Sequence, residues 1–221
     1  MMFNVEGIFE TDDRWPLRVT KLESGDSRAF DSTKGTYYIM LQNASYYSDS
    51  VKLEDVNAAL AVNNHFTIKC SKGTAVVIEY MGIRLLESRY YVQDKLGMGN
   101  LSYMDGGTNT TAINPSRLGD PVINYVHFPA GMYQTLHTHP SHRIGMVLKG
   151  QGKVELDDGE FPLRQGDVFF MQRNVLHNFT CPYENEDVVL FVFAPDSGTG
   201  PTDEINPLKI RTYVGQQRYA R

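Results

Sequence analysis

Short apolar runs alternate along the chain with turn-forming residues, and helical periodicity is scarce. Runs at 36–41 (TYYIML), 66–70, 74–80 (TAVVIEY), 122–128, 144–149, 153–156, 167–171 and 188–194 are rich in β-branched and aromatic residues, which predicts strands. Asp157-Asp158-Gly159, lying between two runs, predicts a hairpin turn, while Asp105-Gly106-Gly107 and Asn114-Pro115 mark a loop. The best helical candidate is 52–62 (KLEDVNAALAV), followed by Asn63 and Asn64, which favour a turn. The pattern as a whole is all-β.

A loop over 105–120, dense in Gly, Asn, Thr, Ser and Pro, divides the chain into halves of about 1–110 and 111–221. Each is long enough for one modest β-barrel. Aligning 64–76 with 166–178 lays one apolar strand over another and sets Ala75 against His177, as an internal duplication would. The first half has one histidine, His65, and no HxH, so it would be a degenerate copy. A single barrel with a long N-terminal extension is the alternative. The tail 198–207 reads as a surface loop before a last strand, 209–214, that could pair in a dimer.

Composition narrows the function. With 41% hydrophobic and 21% charged residues and no apolar stretch of roughly 20, the chain reads as an ordinary globular protein without a membrane span. The start, MMFNVEGIFETDD, lacks a basic region and an apolar run, so a cytoplasmic location is expected. Cys70 and Cys181 form no CxxC and are expected as small core residues, not a disulfide framework or zinc ribbon. A net charge of −5 without a dense basic cluster gives no footprint for nucleic acid or an anionic membrane. A small-molecule partner is the expectation that remains.

Five of six histidines fall between 127 and 177. His137 and His139 form an HxH, and on a strand that spacing sends both imidazoles to one face, as a chelate requires. Downstream, Gly166 begins a turn and strand, and a loop over 172–176 leads into His177, where a third imidazole could arrive. His65 and His127 are expected to be packed or surface residues.

Residues 131–150 resemble the first cupin motif: Gly131, five residues, His137-x-His139, then Arg143 where the family usually has Glu, six residues, and Gly150. Residues 166–177 resemble the second, with Gln172 and Asn174 where its Pro and Gly usually stand. The resemblance implies a jelly-roll barrel with His137, His139 and His177 as ligands of one divalent transition metal, Fe(II) first, with Mn, Ni, Zn or Cu also compatible. Arginine cannot ligate a cation, so Arg143 either pairs with an acidic residue at the barrel mouth or receives a substrate carboxylate beside the metal. His142 could replace the missing ligand, although strand alternation turns it away from Arg143. Gln134, Tyr133 and Gln172 are candidate substrate contacts.

By the same resemblance, the first functional expectation is a mononuclear iron dioxygenase acting on a small anionic molecule. The alternatives are a metal-dependent isomerase or lyase working without O₂, with Tyr133 or Tyr125 as base, and a non-catalytic small-molecule-binding barrel. A homodimer is expected, because pairing would cover exposed sheet edges.

Overall fold

A computed structural model describes residues 2–3, 7–10, 17–31, 35–81, 84–117, 119–197, 213–214 and 217–218. The fold is all-β, and among the described residues the one helical piece is a 3-10 turn at Met104–Gly106. A seven-stranded sheet built mainly from the second half, with strands contributed from before residue 111, runs in the order Met2–Phe3, Val168–Met171, Arg143–Lys149, Val188–Ala194, Val122–Phe128, Thr108–Ile113, Leu101–Ser102. A three-stranded sheet accompanies it, in the order Gly159–Arg164, Gln151–Leu156, His177–Thr180. Val126, Phe128, Val147, Val154, Phe169, Phe179 and Leu190 share one buried cluster between the two sheets, giving a jelly-roll barrel. Leu156 pairs with Gly159, so Asp157 and Asp158 form the two-residue hairpin turn read from the sequence.

Two expectations need correction. Lys52–Val62 is a strand, paired with Thr36–Tyr47 on one side and Arg89–Val92 on the other. Its side chains follow period two: Ala58, Leu60 and Val62 enter one buried cluster, Ala59 and Ala61 another. Burial on both faces overrides the helical preference of Leu and Ala. The segment 105–120, expected as a loop, contains the strand Thr108–Ile113. The stretch 198–207 and residues 209–212 lie outside the described residues, and Tyr213–Val214 pairs with Gln217–Arg218.

Alternate positions on the central strands serve two different cores. In the first half, Tyr37, Ile39 and Leu41 point into that half's own cluster, whereas Tyr38 and Met40 point toward the second half. The second half answers with Ile144, Met146, Val168, Phe170, Phe191 and Phe193, and Tyr38 lies 5.2 Å from Phe193 between ring centroids. The halves therefore pack sheet against sheet. Fully burying each large apolar side chain here contributes about 1.5–3 kcal/mol. Phe169, Phe170, Phe191 and Phe193 are core residues, and both cysteines are buried free thiols, as expected from the sequence.

The strand pairing of the second half recurs in the first. Thr74–Tyr80 lies between Leu17–Leu22 and Thr36–Tyr47, as Val188–Ala194 lies between Val122–Phe128 and Arg143–Lys149. Tyr37 pairs with Val62 as Arg143 pairs with Met171, and Phe30 pairs with Phe66 as His137 bridges His177. Phe30, Tyr37 and Phe66 thus stand where the second half has His137, Arg143 and His177. The residue matching His177 is Phe66, not Ala75. Ala75 pairs with Leu41 in the strand that corresponds to Val188–Ala194, so the sequence alignment was out of register. The aromatic trio packs on itself, with Phe30 stacked on Phe66 at 5.0 Å and Tyr37 edge-on to Phe66 at 5.2 Å.

Candidate metal centre

Residues 131–137 run antiparallel to 177–181 through a ladder of backbone hydrogen bonds. Gly131 N–H donates to Cys181 O, Gln134 N–H to Phe179 O, and His137 and His177 exchange N–H···O bonds of 3.0 Å in both directions. This fixes His137 and His177 side by side, with ring centroids 4.4 Å apart. His139 follows two residues later and is fixed from the opposite direction, because its carbonyl accepts the Asn174 N–H at 2.7 Å. Asn174 sits at φ 60, the left-handed region where the motif's usual Gly is at ease and Asn is tolerated. The departure at this position therefore preserves the turn.

The three histidines each bring a ligand nitrogen within 4.8 Å of the others, and they form the one such group of three among the described residues. His137 and His177 are 2% and 1% exposed. His137 Nδ1 lies 2.8 Å from Thr135 O and His177 Nδ1 lies 2.9 Å from Val175 O. A carbonyl only accepts, so each Nδ1 carries the proton and each Nε2 keeps its lone pair. The buried Nδ1 of His139 has no hydrogen-bond partner among the described residues. Burial holds all three imidazoles toward the neutral form: His177 is pushed down to about 3, His139 lies well below the usual histidine range, and His137 is lowered despite its bond to Thr135. The charge of Arg143 acts in the same direction on each. Three neutral nitrogens with lone pairs available fit a divalent transition metal.

Arg143 shares the inward-facing side of its strand with Val147, and its side chain is 12% exposed. Its Nη1 donates to the carbonyls of Ser141 and His142 and to Ser141 Oγ, and lies 3.8 Å from Asp196. Ser141 Oγ–H donates to the same carboxylate at 2.7 Å. Burial lowers the Arg143 pKa and Asp196 opposes the shift; a guanidinium keeps its charge under such a balance. Arg143 thus has the acidic partner that the sequence left open, and it also lies within electrostatic reach of the histidines.

The remaining candidates separate clearly. His142 turns to the other face, its ring 5.1 Å from Phe170, outside the three-histidine group. Gln134 is buried and accepts the Phe179 N–H through Oε1. Tyr133 is 61% exposed and donates to Glu155 at 2.7 Å. Gln172 is exposed. Tyr125 faces the packing between halves, and its hydroxyl donates to Gly97 O. His127 is buried beside Asp187 and Thr108, and His65 lies exposed beside Asp31. Sequence reasoning missed Asp105, whose carboxylate accepts the Thr135 N–H at 2.7 Å, and Asp196. The Asp105-Gly106-Gly107 signal marked a turn but gave no sign of where it docks.

The Cupin domain family model matches residues 124–193, the stretch that holds both motifs and all three histidines. Residues 124–193 form a cupin domain. The chain resembles the Cupin 2 conserved barrel domain protein from Leptotrichia buccalis, with TM-score 0.57, 15% identity and coverage of 88% of this chain and 89% of the other. It also resembles a protein of unknown function from Pseudomonas syringae pv. tomato, with TM-score 0.61, 11% identity and coverage of 85% of each chain. A third similar structure is the salicylate 1,2-dioxygenase from Pseudaminobacter salicylatoxidans, with TM-score 0.53, 11% identity and coverage of 81% of this chain and 70% of the enzyme. At these identities the likeness is one of fold. No curated protein matches this sequence. No helix among its described residues is long and apolar enough to cross a membrane.

Proposed function

We propose that this protein is a mononuclear Fe(II) dioxygenase acting on a small anionic substrate. His137, His139 and His177 would hold the metal, and Arg143 would receive the substrate carboxylate. The observation that carries this reading is the meeting of three imidazoles held toward the neutral form, two buried and His139 partly so, with a largely enclosed guanidinium within electrostatic reach. Bound Fe(II) would supply the O₂ and redox chemistry that protein side chains lack; Mn, Ni, Zn or Cu also suit three nitrogen ligands.

The chain's own part is positioning. The carbonyls of Thr135 and Val175 orient two imidazoles, the apolar barrel excludes water, and the planar guanidinium presents paired donors to a carboxylate. Gln134, on the buried side of its segment, is the nearer second contact for substrate; Tyr133 would act only from outside the barrel. The salicylate 1,2-dioxygenase, one form of which was solved in complex with gentisate, supports the capacity of this fold for such chemistry. The same proposal treats 1–110 as a degenerate barrel and 111–221 as the metal-binding one, in a cytoplasmic homodimer.

The test begins with elemental analysis of protein purified without added metal, beside His137→Ala and His139→Ala. Near-stoichiometric iron in the wild type alone, followed by iron-dependent oxygen uptake with a small carboxylate that Arg143→Gln abolishes, is the expected result. Wild-type protein that takes up none of the five metals would end the reading. One observation favours a second account, a non-catalytic anion-binding barrel: Arg143 already has Asp196 and Ser141 as partners. Ligand binding without turnover under air would support it. Turnover without O₂ in the Zn or Mn form would point instead to an isomerase or lyase.

A further inference from the structure

The usual cupin glutamate would bring a negative charge to the inner wall, and Arg143 brings a positive one. Three neutral imidazoles beside a guanidinium make a poor electrostatic seat for a dication unless a carboxylate acts from further out. Asp196 is engaged with Arg143 and Ser141. The other carboxylate at the centre is Asp105, on the Met104–Gly106 turn. That turn is closed by Tyr103 N–H to Gly107 O at 2.8 Å and Gly107 N–H to Met104 O at 3.0 Å. Asp105 is held at φ 54, a left-handed conformation that its surroundings must enforce. The turn aims its side chain at Thr135, where Oδ2 accepts the backbone N–H at 2.7 Å and Oδ1 accepts the hydroxyl at 3.3 Å. The carbonyl of that same residue accepts the Nδ1–H of His137 at 2.8 Å. His177 has the matching bond to Val175 O, and among the described residues no carboxylate is hydrogen-bonded behind it.

We propose that Asp105 is a positioning residue for the metal centre, fixing Thr135 so that its carbonyl sets the tautomer and direction of His137, and returning at one remove the negative charge that Arg143 displaces. The inference rests on the reading of the triad as a metal site. It makes the three ligands unequal: His137 is backed by a carboxylate, His177 by a carbonyl alone, and His139 by neither. Loss of such an outer carboxylate typically weakens metal binding by about 10- to 100-fold.

The test uses the full-length chain with Asp105→Asn, Asp105→Ala and Thr135→Val. Co(II) is titrated into each metal-free protein and followed by its visible absorption, and the side-chain Nδ1–H signals of His137 and His177 are recorded by NMR without metal. Asp105→Ala should weaken Co(II) binding at least tenfold and shift the absorption bands. Asp105→Asn should do so less, and Thr135→Val, which keeps the backbone donor, least. The His137 proton signal should shift or broaden in both Asp105 variants while that of His177 stays. Co(II) affinity within twofold of wild type with unchanged bands would overturn the proposal, as would equal loss of both proton signals, which marks general loosening. If wild-type protein binds no Co(II), the metal reading itself fails, and an undisturbed His137 proton signal in the Asp105 variants would then overturn the positioning role as well.

Discussion

Protonation of His177 should be one of the principal acid weaknesses of the metal-free fold, and its size follows from the site. The group is 1% exposed and titrates near 3 when folded, against about 6.5 in an unfolded chain. As pH falls through 6.5 the unfolded chain takes up a proton that the folded chain refuses. Stability from this group is therefore complete above about 6.5 and is lost progressively down to about 3. At roughly 1.4 kcal/mol per pH unit, pH 5 lies about 1.5 units into that window and costs about 2 kcal/mol. The perturbation is His177→Asn, compared with wild type by urea unfolding in chelator at pH 7.5 and pH 5.0. The substitution shifts overall stability, but the quantity read is the pH difference within each protein. The wild type should lose about 2 kcal/mol more than the variant between the two conditions. Residual pH dependence will persist in the variant, because His137 and His139 are lowered too. Equal losses in the two proteins would refute the claim that His177 is buried and neutral.

Other substitutions probe the scaffold. A Cβ on Gly145 would lie 1.9 Å from Phe169 Cζ, so Gly145→Ala should cost about 1–3 kcal/mol, read as a lowered urea midpoint with unchanged slope. Phe66→Ala should cost about 3–5 kcal/mol by opening the aromatic trio of the first half, while metal content measured at folded temperatures stays that of the wild type. Asn174→Val should cost about 1–2 kcal/mol for its left-handed backbone and lower metal occupancy through the lost anchor on His139, whereas Asn174→Gly should retain both.

What could be read from the sequence was whatever is encoded by local spacing. His137 and His139 announce themselves because two residues on an extended chain share a face, and His177 because a Gly and a short apolar run precede it. Lys52–Val62 was misread because alanine and leucine suit a helix in isolation, and only its two packed neighbours make it a strand. The Phe30–Phe66 match to His137–His177 was invisible because it preserves place in the sheet while changing every chemical property. Asp105 and Asp196 approach the histidine segment from distant parts of the chain, and no local pattern states where a turn will dock.

The face shared by the two halves ties their histories together. Arg143–Lys149 turns one side to the histidines' barrel and lays Ile144, Met146 and Leu148 against Tyr38, Met40 and their neighbours. A change of side-chain volume at Tyr38 thus reaches the floor of the site without touching any residue that does chemistry. Drift in the first half should consequently be uneven across related chains. Positions pressed against the second half should change in step with their opposite numbers, whereas the solvent-facing mouth around Phe30 and His65 is free to wander.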